Sequence, residues 1–353
     1  MSRFFSSKYA GLIPYVPGEQ PRSQEFIKLN TNESPFPPSS RALRAAAEAA
    51  RRLNLYSDPE CRALNAKLAE VYHLAPEEVL CTNGSDEILN FAFTAFCDAG
   101  HPAAFPNVTY GFYKVLAALN GVPCEEIPLR EDFSVNVSDY VGLNKTIFIA
   151  NPNAPTGLAL PLADVERLVR GNPGSVVVVD EAYVDFGGES ALPLIHKYDN
   201  LLVTMTFSKS RSMAGARLGF RAARKELFAD LNAFKYATNP YNVNGMTMAA
   251  GIGALEDEEY TRANCRAVME TREDVTAALR EMGFELGDSK ANFVFPRHPK
   301  IDGHKLYEEL RARGILVRHF DTPLLARHNR ITIGSREQMN RLLDTLETIL
   351  EEC

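Results

Sequence analysis

Val176-Val-Val-Val-Asp-Glu-Ala-Tyr183 decides how this chain is read. Four consecutive β-branched residues favour a strand. An unbroken apolar run, rather than an alternating one, marks a strand covered on both faces. The same texture recurs at Thr146–Ala150 (TIFIA) and Leu201–Met205 (LLVTM), with shorter candidates at Val79–Thr82 and Ala103–Phe105. Helical patterns lie between them. After Val79–Thr82, residues Ile88, Leu89, Ala92, Phe93 and Phe96 repeat with a helical period, and Tyr110–Leu119 repeats the scheme. Strands separated by helices mean βαβ units, so the expected fold is α/β on a mainly parallel sheet.

Working outward, the texture changes at both ends. Residues 1–28 carry Pro14, Pro17 and Pro21 and little periodicity, and read as an extended arm. Thr31–Ser40 is a loop dense in breakers, and Arg41–Leu53 is helical by propensity. Residues 29–245 form the expected large domain. Residues 246–353 read as a smaller α+β domain. It opens with a long charged helix at Glu258–Met282. Short strands follow at Asn292–Phe295, Ile315–Val317 and Arg330–Ile333, with helices at Gly303–Arg313 and Glu337–Glu351.

Composition narrows the function classes. The 353 residues are 45% apolar and 24% charged, an ordinary globular balance. The formal charge of −7, from 38 basic and 45 acidic residues, disfavours a nucleic-acid binder. No run approaches a membrane span, and no apolar h-region follows Arg3 and Lys8, so neither a membrane nor a secretory route is expected. Cys61, Cys81, Cys97, Cys124, Cys265 and Cys353 form no CxxC and read as thiols of a reducing, cytoplasmic compartment. The seven histidines show no HxxxH or HExxH spacing, so no metal is expected.

Open parallel sheets bind ligands beyond the carboxyl ends of their strands. The residues just after each apolar run are therefore the candidates: Gly84 and Ser85; Tyr110; Asn151–Gly157; Asp180, Glu181 and Tyr183; Thr206, Ser208 and Lys209, with Arg217 beyond. A Gly-Ser turn into a helix presents backbone N–H groups to an anion, or is a plain helix cap. Ser208 and Arg217 suit a phosphate. Nucleotide loops are missing: there is no GxxxxGK, and Gly251-Ile-Gly253 follows no strand. Asp180 can face a protonated pyridine nitrogen, and Lys209 can form a Schiff base. Together these residues fit pyridoxal 5′-phosphate.

At this point the chain resembles the fold-type I, class I/II pyridoxal-phosphate-dependent aminotransferases, and within them the histidinol-phosphate branch. The matching pieces are Lys28–Pro35 (KLNTNESP), Tyr56–Pro59 (YSDP), Asn83–Leu89 (NGSDEIL), Asn151–Gly157, Asp180–Tyr183 (DEAY), Thr206–Lys209 (TFSK), Ala214–Gly219 (AGARLG) and Arg330–Gly334 (RITIG). The resemblance implies a seven-stranded sheet sandwiched by helices. It implies that Lys209 forms the internal aldimine and moves the proton, that Asp180 pairs with the pyridinium, and that Tyr183 donates to the ring 3′-oxygen. Tyr110 would stack on the ring. Gly84, Ser85, Asp86, Thr206, Ser208 and Arg217 would hold the cofactor, and Tyr56 would reach its phosphate from the other subunit of a homodimer. Tyr15, Asn32, Arg318 and Arg330 would bind substrate. One departure stands out: the family amide before Pro-Thr-Gly is replaced by Ala154. Either Asn153 reaches in instead, or Tyr183 serves the 3′-oxygen alone. The implied reaction is ping-pong transamination between glutamate/2-oxoglutarate and L-histidinol phosphate. A broad aromatic aminotransferase and a threonine-phosphate decarboxylase share the frame. A non-catalytic pyridoxal-phosphate regulator is the reading from another class.

Overall fold

The apolar runs become strands of one sheet in the computed structural model, which describes residues 2–21 and 26–352. Cys353 and part of the arm (residues 1 and 22–25) lie outside the described residues. In chain order the strands are β1 (Ile27–Lys28), β2 (Val79–Asn83), β3 (Ala103–Pro106), β4 (Cys124–Ile127), β5 (Thr146–Ala150), β6 (Val177–Asp180), β7 (Leu201–Thr206), β8 (Leu218–Ala222), β9 (Phe293–Val294), β10 (Ile315–Leu316), β11 (Arg318–His319) and β12 (Asn329–Thr332). The α-helices are α1 (Ser40–Ala50), α2 (Arg62–Tyr72), α3 (Ser85–Phe96), α4 (Phe112–Asn120), α5 (Leu162–Arg170), α6 (Lys225–Thr238), α7 (Gly245–Leu255), α8 (Glu258–Glu281), α9 (Gly303–Ala312) and α10 (Arg336–Glu351).

The large sheet has seven strands in the order β2-β8-β7-β6-β5-β3-β4. β4, β3, β5, β6 and β7 are parallel, while β8 runs antiparallel to both β2 and β7. Its two faces feed two apolar clusters. Val177, Val179, Leu201 and Val203 pack into one, with Leu64, Val165 and Ala250 from α2, α5 and α7. Val178, Leu202 and Phe148 pack into the other, with Leu89, Phe93, Leu116 and Leu231 from α3, α4 and α6. Cover on both faces is why these strands are apolar throughout. Gly251 and Gly253 lie in α7, where a Cβ on Gly253 would sit 2.8 Å from the Arg41 carbonyl group. That glycine pair serves close helix packing.

A third core gathers Val268, Val275 and Leu279 of α8, Leu306 and Leu310 of α9, and Leu342, Leu346 and Ile349 of α10 against Val294 and Ile331. β11, β12 and β9 form a three-stranded antiparallel sheet there, with Arg318 opposite Arg330. β1 pairs in parallel with β10, so the last residues of the arm are tied to this region. The arm is held near its end by an ion pair between Glu19 and Arg311 at 3.0 Å.

Candidate active site

β6 and β7 are neighbours, and Asp180 pairs across the ladder with Thr204. Their carboxyl ends open into a cavity of about 370 Å³. Of the residues singled out in the sequence, Tyr15, Asn32, Ser85, Asp86, Tyr110, Asp180, Tyr183, Thr206, Ser208, Lys209, Arg217, Arg318 and Arg330 line it.

At the floor, Asp180 is 4% exposed. Its Oδ2 accepts a hydrogen bond from the Tyr113 hydroxyl at 2.9 Å, whereas Oδ1 has no protein partner. Burial pushes its carboxyl up to about 7, against the bond from Tyr113. Lys209 lies on the loop after β7 and donates through Nζ to the Thr31 carbonyl at 3.2 Å. Burial, reinforced by Arg330, lowers its ammonium to about 8. A lysine held near neutrality is suited to give and take a proton. The Tyr183 hydroxyl accepts from Asn32 Nδ2 at 2.9 Å, so its own proton is free to point elsewhere. Asn32 in turn is fixed by Thr332, whose hydroxyl donates to Asn32 Oδ1 at 3.1 Å.

One side of the cavity is the first turn of α3, which presents backbone N–H groups without intrahelical acceptors. Gly84 contributes by lacking a side chain: at φ 75°, its missing Cβ would lie 2.6 Å from Arg217 Nη2. Its own N–H is committed to the Thr82 carbonyl at 2.9 Å, so Gly84 shapes the turn rather than donating to a ligand. Gly219 completes the approach, since a Cβ there would lie 2.6 Å from the Ser85 nitrogen. Arg217 is itself left-handed, at φ 53°, an uncommon state for a residue with a Cβ. Its guanidinium donates to Asp86 Oδ2 at 3.0 Å, and Asp86 Oδ1 accepts from Tyr110 at 2.9 Å. Asp86 thus fixes both Arg217 and Tyr110. Ser208 is placed by Thr206, whose hydroxyl donates to the Ser208 oxygen at 3.0 Å.

The mouth carries the opposite sign. Arg318 and Arg330 face each other across β11 and β12. Like charges directly opposite repel, and neither has a carboxylate within ion-pair distance among the described residues. Arg330 Nη2 donates to the Asn30 carbonyl at 3.1 Å, and its buried Nε has no partner. Arg318 donates to the arm carbonyls of Val16 at 3.1 Å and Pro17 at 3.4 Å. Tyr15 meets Tyr110 and Phe112 edge-on, at 6.2 and 5.5 Å between ring centroids.

Three expected residues do not line the cavity: Gly84, which shapes the turn, Tyr56, expected to act from the other subunit, and Asn153. Asn153 is corrected: its Oδ1 accepts from Thr109 at 2.8 Å, and its Nδ2 donates to the Val108 carbonyl at 3.1 Å and to Thr156 at 3.0 Å. Its amide is spent bracing the loop, and Ala154 lines the cavity in its place. Tyr56 is 84% exposed and stacks on Tyr241 at 4.6 Å, away from this cavity of the same chain. Sequence reading missed Tyr113, the donor to Asp180. Its one signal was the spacing of three from Tyr110.

Residues 24–346 match the family described as aminotransferase class I and II. The chain belongs to this family. It is 46% identical, over 99% of its length and 100% of the relative's, to a histidinol-phosphate aminotransferase of Aromatoleum aromaticum. It is 48% identical, over 99% of both chains, to one from Acetobacter pasteurianus. Its fold matches that of the Sinorhizobium meliloti histidinol-phosphate aminotransferase solved in complex with pyridoxal-5′-phosphate, with a TM-score of 0.90, 24% identity, and 100% of this chain and 99% of that one covered.

The pyridoxal phosphate that this family implies fits the residues present. The unpartnered Asp180 oxygen suits a ring N–H, the first turn of α3 with Arg217 suits a phosphate, and Lys209 lines the same cavity.

Proposed function

We propose that this aminotransferase is pyridoxal-phosphate-dependent and exchanges an amino group between L-histidinol phosphate and 2-oxoglutarate; its relatives are named histidinol-phosphate aminotransferases. The observation that carries the reading is the opposition of Asp180 and Lys209 at the floor to the unpaired Arg318 and Arg330 at the mouth. Pyridoxal phosphate, when bound, supplies the electron sink and the carbon that receives the amine. Asp180 holds the ring N–H, and the α3 turn with Ser208 and Arg217 holds the phosphate. Tyr110 covers the ring, and Tyr183 alone donates to its 3′-oxygen. Lys209 moves the proton at the substrate Cα. Arg330 takes the anionic end common to each substrate, since its fork meets carboxylate or phosphate with two bonds. Arg318 and Tyr15 close over the phosphate of the amino-alcohol substrate. Each clamp restrains the angle at which the Cα–H bond meets the ring.

In this reading, residues 29–245 hold the cofactor, 246–353 present the arginines and 1–28 lie over the mouth. The working form is a homodimer in which Tyr56 completes the partner's phosphate site. Exposed Leu53, Leu55 and Tyr56 in the loop after α1, with Tyr241 stacked on Tyr56, support that assembly. A cytoplasmic location belongs to the same proposal. No helix among the described residues is long and apolar enough to cross a membrane.

The test offers the purified enzyme glutamate with imidazole-acetol phosphate, with phenylpyruvate, and separately threonine phosphate alone. Preferred amine transfer to imidazole-acetol phosphate is expected. Preference for phenylpyruvate, or release of carbon dioxide from threonine phosphate, would replace the proposal with the corresponding reaction.

A further inference from the structure

Two histidines and an aspartate converge on the surface where α9 begins, outside the cavity. One ligand atom from each of His304, His319 and Asp321 lies within 4.8 Å of the others. His319 Nε2 is 3.4 Å, and His304 Nδ1 3.7 Å, from the same oxygen, Asp321 Oδ1.

The far nitrogen of each imidazole has an acceptor. Asn329 is fully buried, and its Nδ2 donates to the Gly303 carbonyl at 2.8 Å. Its Oδ1 therefore faces His319 Nδ1, at 3.1 Å. An amide oxygen only accepts, so Nδ1 carries the proton. His304 Nε2 lies 3.3 Å from the Glu308 carboxylate, one helical turn on, which likewise places a proton on Nε2. The Tyr307 ring stacks on His319 at 5.9 Å and 26° and fixes its plane. In the neutral rings, what remains aimed at Asp321 is a lone pair from each. Two lone pairs and a carboxylate oxygen repel one another unless a cation lies between them. Metal-bound histidines characteristically donate the other ring N–H to a carboxylate or carbonyl, as both rings do here.

We propose that His304, His319 and Asp321 bind one divalent transition-metal ion of the zinc class, with water completing its shell. Two imidazole nitrogens and one carboxylate favour such an ion over magnesium or calcium, which prefer all-oxygen shells. The sequence hid the set because its members come from α9, β11 and the following loop. The ion ties the loop to α9. Phe320, between two of the ligands, lies under both arginines, with its centroid 5.5 Å from Arg318 and 5.7 Å from Arg330. Metal binding does not depend on the aminotransferase reading; only an effect on substrate KM through Phe320 would rest on it.

The test uses untagged holoenzyme, stripped by a chelator, dialysed and titrated with zinc chloride and, in parallel, magnesium chloride by calorimetry and thermal melting. The expected result is one zinc per chain at this site and a raised Tm, with no comparable response to magnesium. Zinc affinity should fall at least tenfold in His304→Ala and in Asp321→Asn, whose exposed side chains can be changed without disturbing the core. Equal zinc binding by wild type and both variants, or no zinc binding at all, overturns the proposal and leaves protons as the cations of this cluster.

Discussion

The floor and the mouth of the cavity handle charge in opposite ways. At the floor, charge is costly because it is dry: Asp180 sits at the end of a strand buried on both faces and is raised to about 7. At the mouth, charge is costly because it is doubled: Arg318 and Arg330 are held side by side without an acid. The floor selects a cationic partner and the mouth an anionic one. In the proposed reading the ring N–H of the cofactor meets the floor and the anionic end of the substrate meets the mouth. Perturbed groups of opposite sign around one cavity mark a site far better than burial alone. Arg221 shows this: it is fully buried with no hydrogen-bond partner for its three nitrogens, yet it does not line the cavity, and its guanidinium lies over the Phe228 ring, 4.9 Å from the centroid.

The sharpest break in the comparison is Asp180→Asn. Removing the floor charge should lower kcat by about 100- to 1,000-fold, the range for losing one electrostatic stabiliser. In the cofactor-free chain the same change should raise stability. Asp180 has a folded value of about 7 against an ordinary 3.8. The native state therefore binds more protons than the unfolded state between those values, and stability falls as pH rises through that window. The variant should gain more Tm at pH 8 than at pH 5, and an equal gain at both would reject the shift.

Next comes the mouth. Arg330→Ala should raise KM about 10- to 100-fold in both half-reactions, the loss of charge-assisted hydrogen bonds to a shared anion. Arg318→Ala should raise KM about tenfold for the phosphorylated substrate while sparing glutamate. If both variants affect both substrates equally, the mouth is one undivided clamp. The smallest effect is Tyr113→Phe, about fivefold in turnover, because a single neutral donor to Asp180 is worth about 1 kcal/mol. The Asp180-dependent fall in stability should then begin at the same pH but extend to a higher one, because the bond from Tyr113 holds the folded value down.

The floor was more legible in the sequence than the mouth. Asp180, Lys209 and Ser85 each follow an apolar run, and in a parallel sheet that position alone brings them to one edge. β4 was missed because Cys124-Glu-Glu-Ile127 is an edge strand with three exposed residues and no apolar run. The choice between Asn153 and Tyr183 alone stayed open because the path of a loop, not its composition, decides which side chain enters a cavity. Tyr113 was absorbed into the helical period of α4, where a core residue and a hydrogen-bonding one look alike. The opposition of Arg318 to Arg330 depends on strand register across a loop, which a sequence does not display.

The most direct measurement is borohydride reduction of the holoenzyme followed by peptide mass mapping. The account predicts a pyridoxyl group on the peptide containing Lys209 and on no other lysine. A label on a different lysine, or none, would contradict it.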